Sequence, residues 1–184
     1  SNRVGGLLSL DDLAGYRAKF EDPITTTFMG YEVCAQSTWS QGAVVLQALN
    51  MLEQFDLRAM GHNSAEYIHI LTEALKLAFA DREAFYGDPD YSTVPLDGLV
   101  SKEYAATRAA LIDAGRACPE MPSHGDPWAF SKETRMAASP PVPVSATGGS
   151  DEASGEEGTT HVAVLDREGN MVCGTISGGS FASS

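Results

Sequence analysis

The sequence predicts an α+β fold in which helices and hairpins are segregated along the chain. Three observations predict it. Two β-branched runs flank Met29-Gly30, and apolar residues recur at helical spacing from Ala43 to Phe55 and from Ser64 to Phe85. Two further alternating runs, Thr159 to Leu165 and Met171 to Ser177, bracket a turn.

The elements follow in order. Ser9 caps a short helix from Leu10 to Tyr16, with Asp11 and Asp12 in its first turn, where carboxylates favour the helix dipole. Ile24 to Phe28 and Tyr31 to Ala35 form a hairpin about Met29-Gly30. Ser37 to Gly42 is a polar loop, and Val45, Leu46, Leu49 and Leu52 carry the helix after it. Asn63 with Glu66 resembles a capping box for a long helix whose expected apolar face is Tyr67, Ile68, Leu71, Leu75, Ala78, Phe79 and the Arg82 stem. Gly87-Asp88-Pro89-Asp90 ends it. Ser101 caps a helix from Lys102 to Asp113, with Tyr104, Arg108, Leu111 and Ile112 on one side.

The composition changes at residue 119. The stretch 119–158 holds most of the nine prolines and ends in Asp151-Glu152-Ala153-Ser154-Gly155-Glu156-Glu157, so it reads as a flexible linker with little to bury. The expected organisation is therefore 1–118 as a helix-and-hairpin region, 119–158 as linker, and 159–184 as the start of a second sheet. A sheet that stops at Ser184 suggests a segment of a longer protein.

Charge and composition exclude several classes. With 12 Lys and Arg against 25 Asp and Glu, the net charge is −13, which disfavours nucleic acid and anionic membrane surfaces. No apolar run is long enough for a membrane span. Cys34, Cys118 and Cys173 are widely spaced and odd in number, so they read as buried free thiols rather than disulfides or zinc ligands. His62, His69, His124 and His161 have no metal-ligand spacing, and the glycine pairs match no phosphate loop. No metal or cofactor is expected. The N-terminus has no signal-peptide pattern, which leaves the compartment open.

One junction is chemically suggestive. The acidic stretch meets a strand at Gly158-Thr159. Cleavage there would make Thr159 an N-terminal residue whose own α-amine, titrating near pH ~8, is a base for its hydroxyl. Glycine before it gives the hydroxyl access to the carbonyl.

Gly158-Thr159-Thr160-His161, continued by Val-Ala-Val-Leu-Asp166-Arg-Glu-Gly169-Asn170, resembles the start of the small subunit in the gamma-glutamyltransferase (gamma-glutamyltranspeptidase) family. Leu8-Ser9-Leu10-Asp11-Asp12-Leu13-Ala14-Gly15-Tyr16, Gly30-Tyr31-Glu32-Val33, Leu46 to Glu53, and Glu73 to Arg82 leading to Gly87-Asp88-Pro89 resemble its large subunit in the same order.

The resemblance implies an N-terminal-nucleophile hydrolase, an αββα sandwich only partly represented in this chain. It implies autoprocessing at Gly158-Thr159 and γ-glutamyl amides such as glutathione as small-molecule substrates. It assigns Thr159 as nucleophile, Ser177 as a catalytic hydroxyl beside it, and Gly179 to a substrate-binding position where many members have asparagine. The rest of the two subunits would be the partners. They supply the carboxylate-binding arginine before Ser1 and the oxyanion glycines after Ser184, so the segment alone is expected to be inactive. Ser177-Gly178-Gly179 resembles a subgroup for which an acylase of another amide, cephalosporin-acylase-like, is the alternative. A non-processing structural or binding homologue is a further one. Export follows if the full-length protein carries a signal peptide, and a cytoplasmic location otherwise.

Overall fold

The computed structural model describes residues 9–133 and 159–177. The chain divides into two compact units, Ser1–Ser139 and Pro140–Ser184.

In the first unit, α1 (Leu10–Gly15) opens with a capping box: Ser9 Oγ accepts from the Asp12 N–H at 3.1 Å and Asp12 Oδ2 accepts from the Ser9 N–H at 2.8 Å. Strands β1 (Ile24–Phe28) and β2 (Tyr31–Ala35) pair antiparallel, with Phe28 opposite Tyr31. Met29 and Gly30 both take positive φ, 50° and 86°, which matches the twist of a two-residue hairpin.

Helix α2 (Gly42–Leu52) is the centre of this unit, with Ala43, Val44, Leu46, Gln47, Ala48, Asn50, Met51 and Leu52 buried. A helix buried on most of its circumference needs neighbours on several sides. The β1–β2 hairpin packs against it, as do α4 (Ala65–Phe85) and α6 (Lys102–Ala109). Val44, Ala48, Met51 and Leu52 meet Ile70, Ala74, Leu77 and Ala78 of α4 and Ala105 and Ala109 of α6. The alanines let the helix axes approach closely. Asn50 ties three parts together: it accepts from Thr26 Oγ1 at 2.6 Å and donates to the Val100 carbonyl at 2.7 Å. Two single-turn helices, α3 (Leu57–Met60) and α5 (Leu96–Leu99), connect the long ones.

Several expectations need correction here. Ser64, not Asn63, caps α4, its Oγ accepting from the Tyr67 N–H at 3.0 Å; Asn63 takes φ 54° just before it. The buried face of α4 is Ile70, Glu73, Ala74, Leu77, Ala78, Ala80 and Asp81. Ile68 is 50% exposed, while Leu71, Leu75 and Phe79 pack only at the border of the core. The difference arises because two members of the buried face, Glu73 and Asp81, are acidic. Helix α6 ends at Ala109 rather than Asp113, leaving Leu111 exposed. Cys34 is exposed and Cys118 half-buried in this unit, so neither is the buried thiol expected. Tyr104 is buried, whereas Tyr16 and Tyr31 lie at the surface.

Residues 119–133, the beginning of the Pro-rich stretch, are part of this packing. A 3-10 turn, Pro127–Phe130, buries Pro127 and sets the Phe130 ring against Tyr104 at a tilt of 51°, the ring centroids 5.6 Å apart. Asp97 anchors it from α5, accepting from Ser131 Oγ and from the Lys132 N–H. Burial alone would raise the Asp97 pKa, but these bonds and the Gly98 N–H outweigh it and hold the carboxyl below its ordinary value. Residues 134–158 lie outside the described residues.

The second unit contains β3 (Thr159–Leu165) and β4 (Met171–Ser177), an antiparallel pair with the boundaries the alternation predicts. Its turn is closed by the Gly169 N–H on the Asp166 carbonyl at 3.3 Å, with Gly169 at φ 86°. Asp166 Oδ1 accepts from the Asn170 N–H at 2.8 Å and Oδ2 from the Asn170 amide at 2.7 Å. The two Asn170 bonds hold the Asp166 carboxyl below its ordinary pKa. Cys173 is exposed here, again unlike the buried thiol expected.

Candidate active site

The β3–β4 register determines which site residues can meet. Thr159 is the Cα partner of Ser177 at the open end of the ladder. Directly opposite residues in such a pair have Cβ atoms about 4.5–5.5 Å apart. Positions 159 and 177 are 18 apart in sequence, and the turn at Asp166–Asn170 folds them onto one another. His161 stands opposite Thr175, Ala163 opposite Cys173 and Leu165 opposite Met171. By the two-residue period these positions share one face of the ladder. Thr160, Val162 and Val164 share the other with Ile176, Gly174 and Val172.

The structure thus brings Thr159 and Ser177 together in register. Gly158, the residue before the expected cleavage, and Gly179, the expected substrate-binding position, lie outside the described residues. Thr175 is a further hydroxyl-bearing position that the family motifs do not mark. The two-residue period places it on the face of Thr159 and is the sequence signal for it.

The first unit carries its own buried polar cluster. Asp81 is fully buried on α4. Its Oδ1 lies 3.1 Å from Arg108 Nη2 and accepts from the Gly125 N–H at 2.9 Å. Its Oδ2 accepts from Tyr104 Oη at 2.9 Å and from Gln47 Nε2 at 3.2 Å. Gln47 Oε1 in turn accepts from Tyr86 Oη at 2.5 Å. Arg108 also donates to the Leu77 and Ser123 carbonyls. Burial, and then the Asp81 charge, push both the Tyr86 and the Tyr104 phenols up from their ordinary value of 10. Both therefore serve as neutral hydrogen-bond donors. Every polar contact of Asp81 is thus directed inward, and the cluster ties α2, α4, α6 and the 123–125 loop together. Arg82, its sequence neighbour, points elsewhere, with Glu83 at 2.9 Å and the Phe79 ring at 5.5 Å.

Among the described residues, no group of three or more His, Cys, Asp or Glu side chains could hold a metal ion. No helix among them is long and apolar enough to cross a membrane.

A threonine opens β3 and a serine ends β4 opposite it. Comparison with known proteins bears on the same point. The chain matches the family described as gamma-glutamyltranspeptidase over residues 1–184. It is 36% identical over 172 residues to the glutathione hydrolase proenzyme of Escherichia coli K12, covering 93% of this chain and 26% of that protein. It is 35% identical over 172 residues to an acylase ACY 1 proenzyme of Pseudomonas sp. SE83, with the same coverage. Among solved structures it resembles the gamma-glutamyltranspeptidase of Helicobacter pylori, with TM-score 0.59 and 36% identity over 62% of this chain and 33% of that one.

The fold is the α+β fold of the N-terminal-nucleophile hydrolases. The chain belongs to the gamma-glutamyltranspeptidase family. It spans about a quarter of the length of the curated relatives it matches.

Proposed function

We propose that the protein to which this chain belongs is a gamma-glutamyltransferase-like threonine hydrolase, autoprocessed between Gly158 and Thr159. The observation that carries this reading is the pairing of Thr159 with Ser177 at the end of the β3–β4 ladder.

In processing, Thr159 Oγ adds to the Gly158 carbonyl carbon. The C–N bond then breaks, giving an ester on Oγ and a free α-amine on Thr159. Water hydrolyses the ester, leaving a carboxylate on Gly158 and restoring the Thr159 hydroxyl. In turnover the α-amine accepts the Oγ proton as Oγ adds to the amide carbonyl of a γ-glutamyl compound such as glutathione. The tetrahedral adduct collapses, and the leaving amine takes that proton. Water or an amino acid then attacks the γ-glutamyl ester and releases Thr159. Ser177 supplies a hydroxyl to hold Thr159 Oγ in both halves, and Gly179 is the sequence position that the family resemblance assigns to substrate binding. The remaining large- and small-subunit segments complete the oxyanion and carboxylate sites. A leader on the full-length product would direct it to the periplasm or outside the cell; without one it is cytoplasmic.

A second reading is an acylase of the same fold acting on another amide. The 35% identity to an acylase proenzyme favours it. Comparing hydrolysis of γ-glutamyl-p-nitroanilide with that of a glutaryl amide by the full-length protein separates the two. Preference for the γ-glutamyl compound upholds the first reading, and the reverse preference replaces it with the second.

A further inference from the structure

The strands of the second unit are joined by a short loop. β3 ends at Leu165, β4 begins at Met171, and between them stand Asp166, Arg167, Glu168, Gly169 and Asn170. Asp166 and Asn170 bond to each other across this loop. The Asp166 N–H donates to the Asn170 carbonyl at 3.0 Å, Asp166 Oδ1 accepts from the Asn170 N–H at 2.8 Å, and Oδ2 accepts from the Asn170 amide at 2.7 Å. The loop proper is thus Arg167-Glu168-Gly169, with Gly169 at φ 86°, the form of a three-residue hairpin loop that ends in a left-handed residue. Both carboxylate oxygens of Asp166 are committed to one residue on the opposite strand.

A buried face fixes the register of a hairpin strongly, because a slip of one residue turns every side chain to the other face. Residues 161–174 are exposed throughout, so no buried face among them selects the pairing. The alternation is nearly indifferent to a slip as well. Positions of one face carry Ala163, Leu165, Met171 and Cys173, and those of the other carry Val162, Val164, Val172 and Gly174. The nucleophile is not indifferent. The observed register sets Ser177 opposite Thr159. A register shifted by one residue would set Ile176 or Gly178 there, and neither carries a hydroxyl.

We propose that Asp166 and Asn170 are a positioning pair for the nucleophile: their clamp across the loop holds β3 and β4 in the register that places Ser177 opposite Thr159. The inference rests on the function proposed above. Neither residue touches the reacting atoms. The effect is carried by the backbone ladder from the Leu165–Met171 rung to the Thr159–Ser177 rung.

The test uses the full-length gene product, with processing followed by intact mass. Wild-type cleavage between Gly158 and Thr159 is established first; its absence overturns the proposed function, and the positioning role with it. Given cleavage, Asp166→Ala should slow processing by about tenfold, the scale of the lost bonds to a charged group. Asp166→Asn keeps an oxygen for the Asn170 N–H and should recover part of that loss. Adding Asn170→Ala to Asp166→Ala should cost little more, because the pair is already broken. Arg167→Ala, in the same loop but outside the clamp, should process at the wild-type rate. A covalent staple separates register from general destabilisation. Ala163 is the Cα partner of Cys173, and directly opposite residues lie within disulfide reach. Ala163→Cys should therefore close a bridge to Cys173 on oxidation, read by non-reducing peptide mapping. Closure should be slower in the Asp166→Ala precursor than in the otherwise wild-type chain, and the closed bridge should restore most of the lost processing rate. Wild-type processing in Asp166→Ala, equal closure rates in the two chains, or a closed bridge that leaves the variant slow would overturn the clamp. Failure of the bridge to form in the otherwise wild-type chain would contradict the register itself. If Asp166→Ala does not fold, Asn170→Ala decides the matter, and an unchanged processing rate there overturns the proposal.

Discussion

Asp81 and Arg108 lie 3.1 Å apart with Asp81 fully buried and Arg108 4% exposed, and the pair joins α4 to α6. The Asp81 carboxylate accepts from Tyr104, Gln47 and the Gly125 N–H as well. These bonds offset desolvation that the attraction alone seldom covers, and Arg108 Nε is the one buried side-chain polar atom among the described residues without a hydrogen-bond partner.

Neutralising one partner therefore leaves the other charge unpaired. Asp81→Asn should destabilise the protein by about 3 kcal/mol, the lower range for breaking a buried pair. Adding Arg108→Met to it should cost less than the two single changes summed, because the orphaned charge is gone. Urea denaturation of the four proteins measures both. Additive losses would show that the two residues act separately.

The same cluster predicts an alkaline limit. The Tyr86 and Tyr104 pKa values are raised in the folded protein by burial and by Asp81, relative to 10 when unfolded. A raised folded pKa means that the stabilisation is full below the unfolded value and declines as pH rises through 10. Urea midpoints should fall above about pH 10, and the double variant Tyr86→Phe/Tyr104→Phe should fall less steeply there. Parallel slopes in the two proteins would contradict the assignment.

Gly98 fixes the 3-10 turn to α5. A Cβ on Gly98 would collide with the Pro127 carbonyl oxygen and stand 3.2 Å from the Ser131 nitrogen, both backbone atoms that cannot swing aside. Gly98→Ala should cost about 2 kcal/mol, as overpacking does, and raise amide exchange over residues 127–131. Gly15→Ala is the control, with no atom within 4 Å of its added Cβ. Equal effects from the two would show that the Pro127–Phe130 contact is dispensable.

Ser177→Ala removes the hydroxyl opposite Thr159. Processing of the full-length product should slow by about tenfold or more while Thr159 remains the cleavage point. Time-resolved mass measurement reads both quantities. Unaltered kinetics would remove Ser177 from the site.

Strand boundaries are legible in the sequence because alternation and turn chemistry agree: Thr159–Leu165 and Met171–Ser177 flank Asp166 and Gly169, and the register then follows from the turn. The face of α4 is not legible. Asp81 and Glu73 belong to its buried stripe, and their partners Arg108, Tyr104, Lys76 and Cys118 come from other turns and distant segments. A carboxylate reads as solvent-facing until those partners are known. Ser64 is hidden as a cap because Asn63-x-x-Glu66 imitates a capping box; the left-handed φ of Asn63 puts the helix start one residue later. Thr159 and Ser177 are legible from motif order, and the register that sets them opposite one another follows from the turn.

The central claim is that Thr159 becomes a chain terminus, and intact mass of the full-length gene product beside its Thr159→Ala variant tests it most directly. The account predicts two fragments in the wild type, the smaller beginning at Thr159, and one uncut chain in the variant. A single uncut chain in both, or cleavage that survives loss of the hydroxyl, would contradict it.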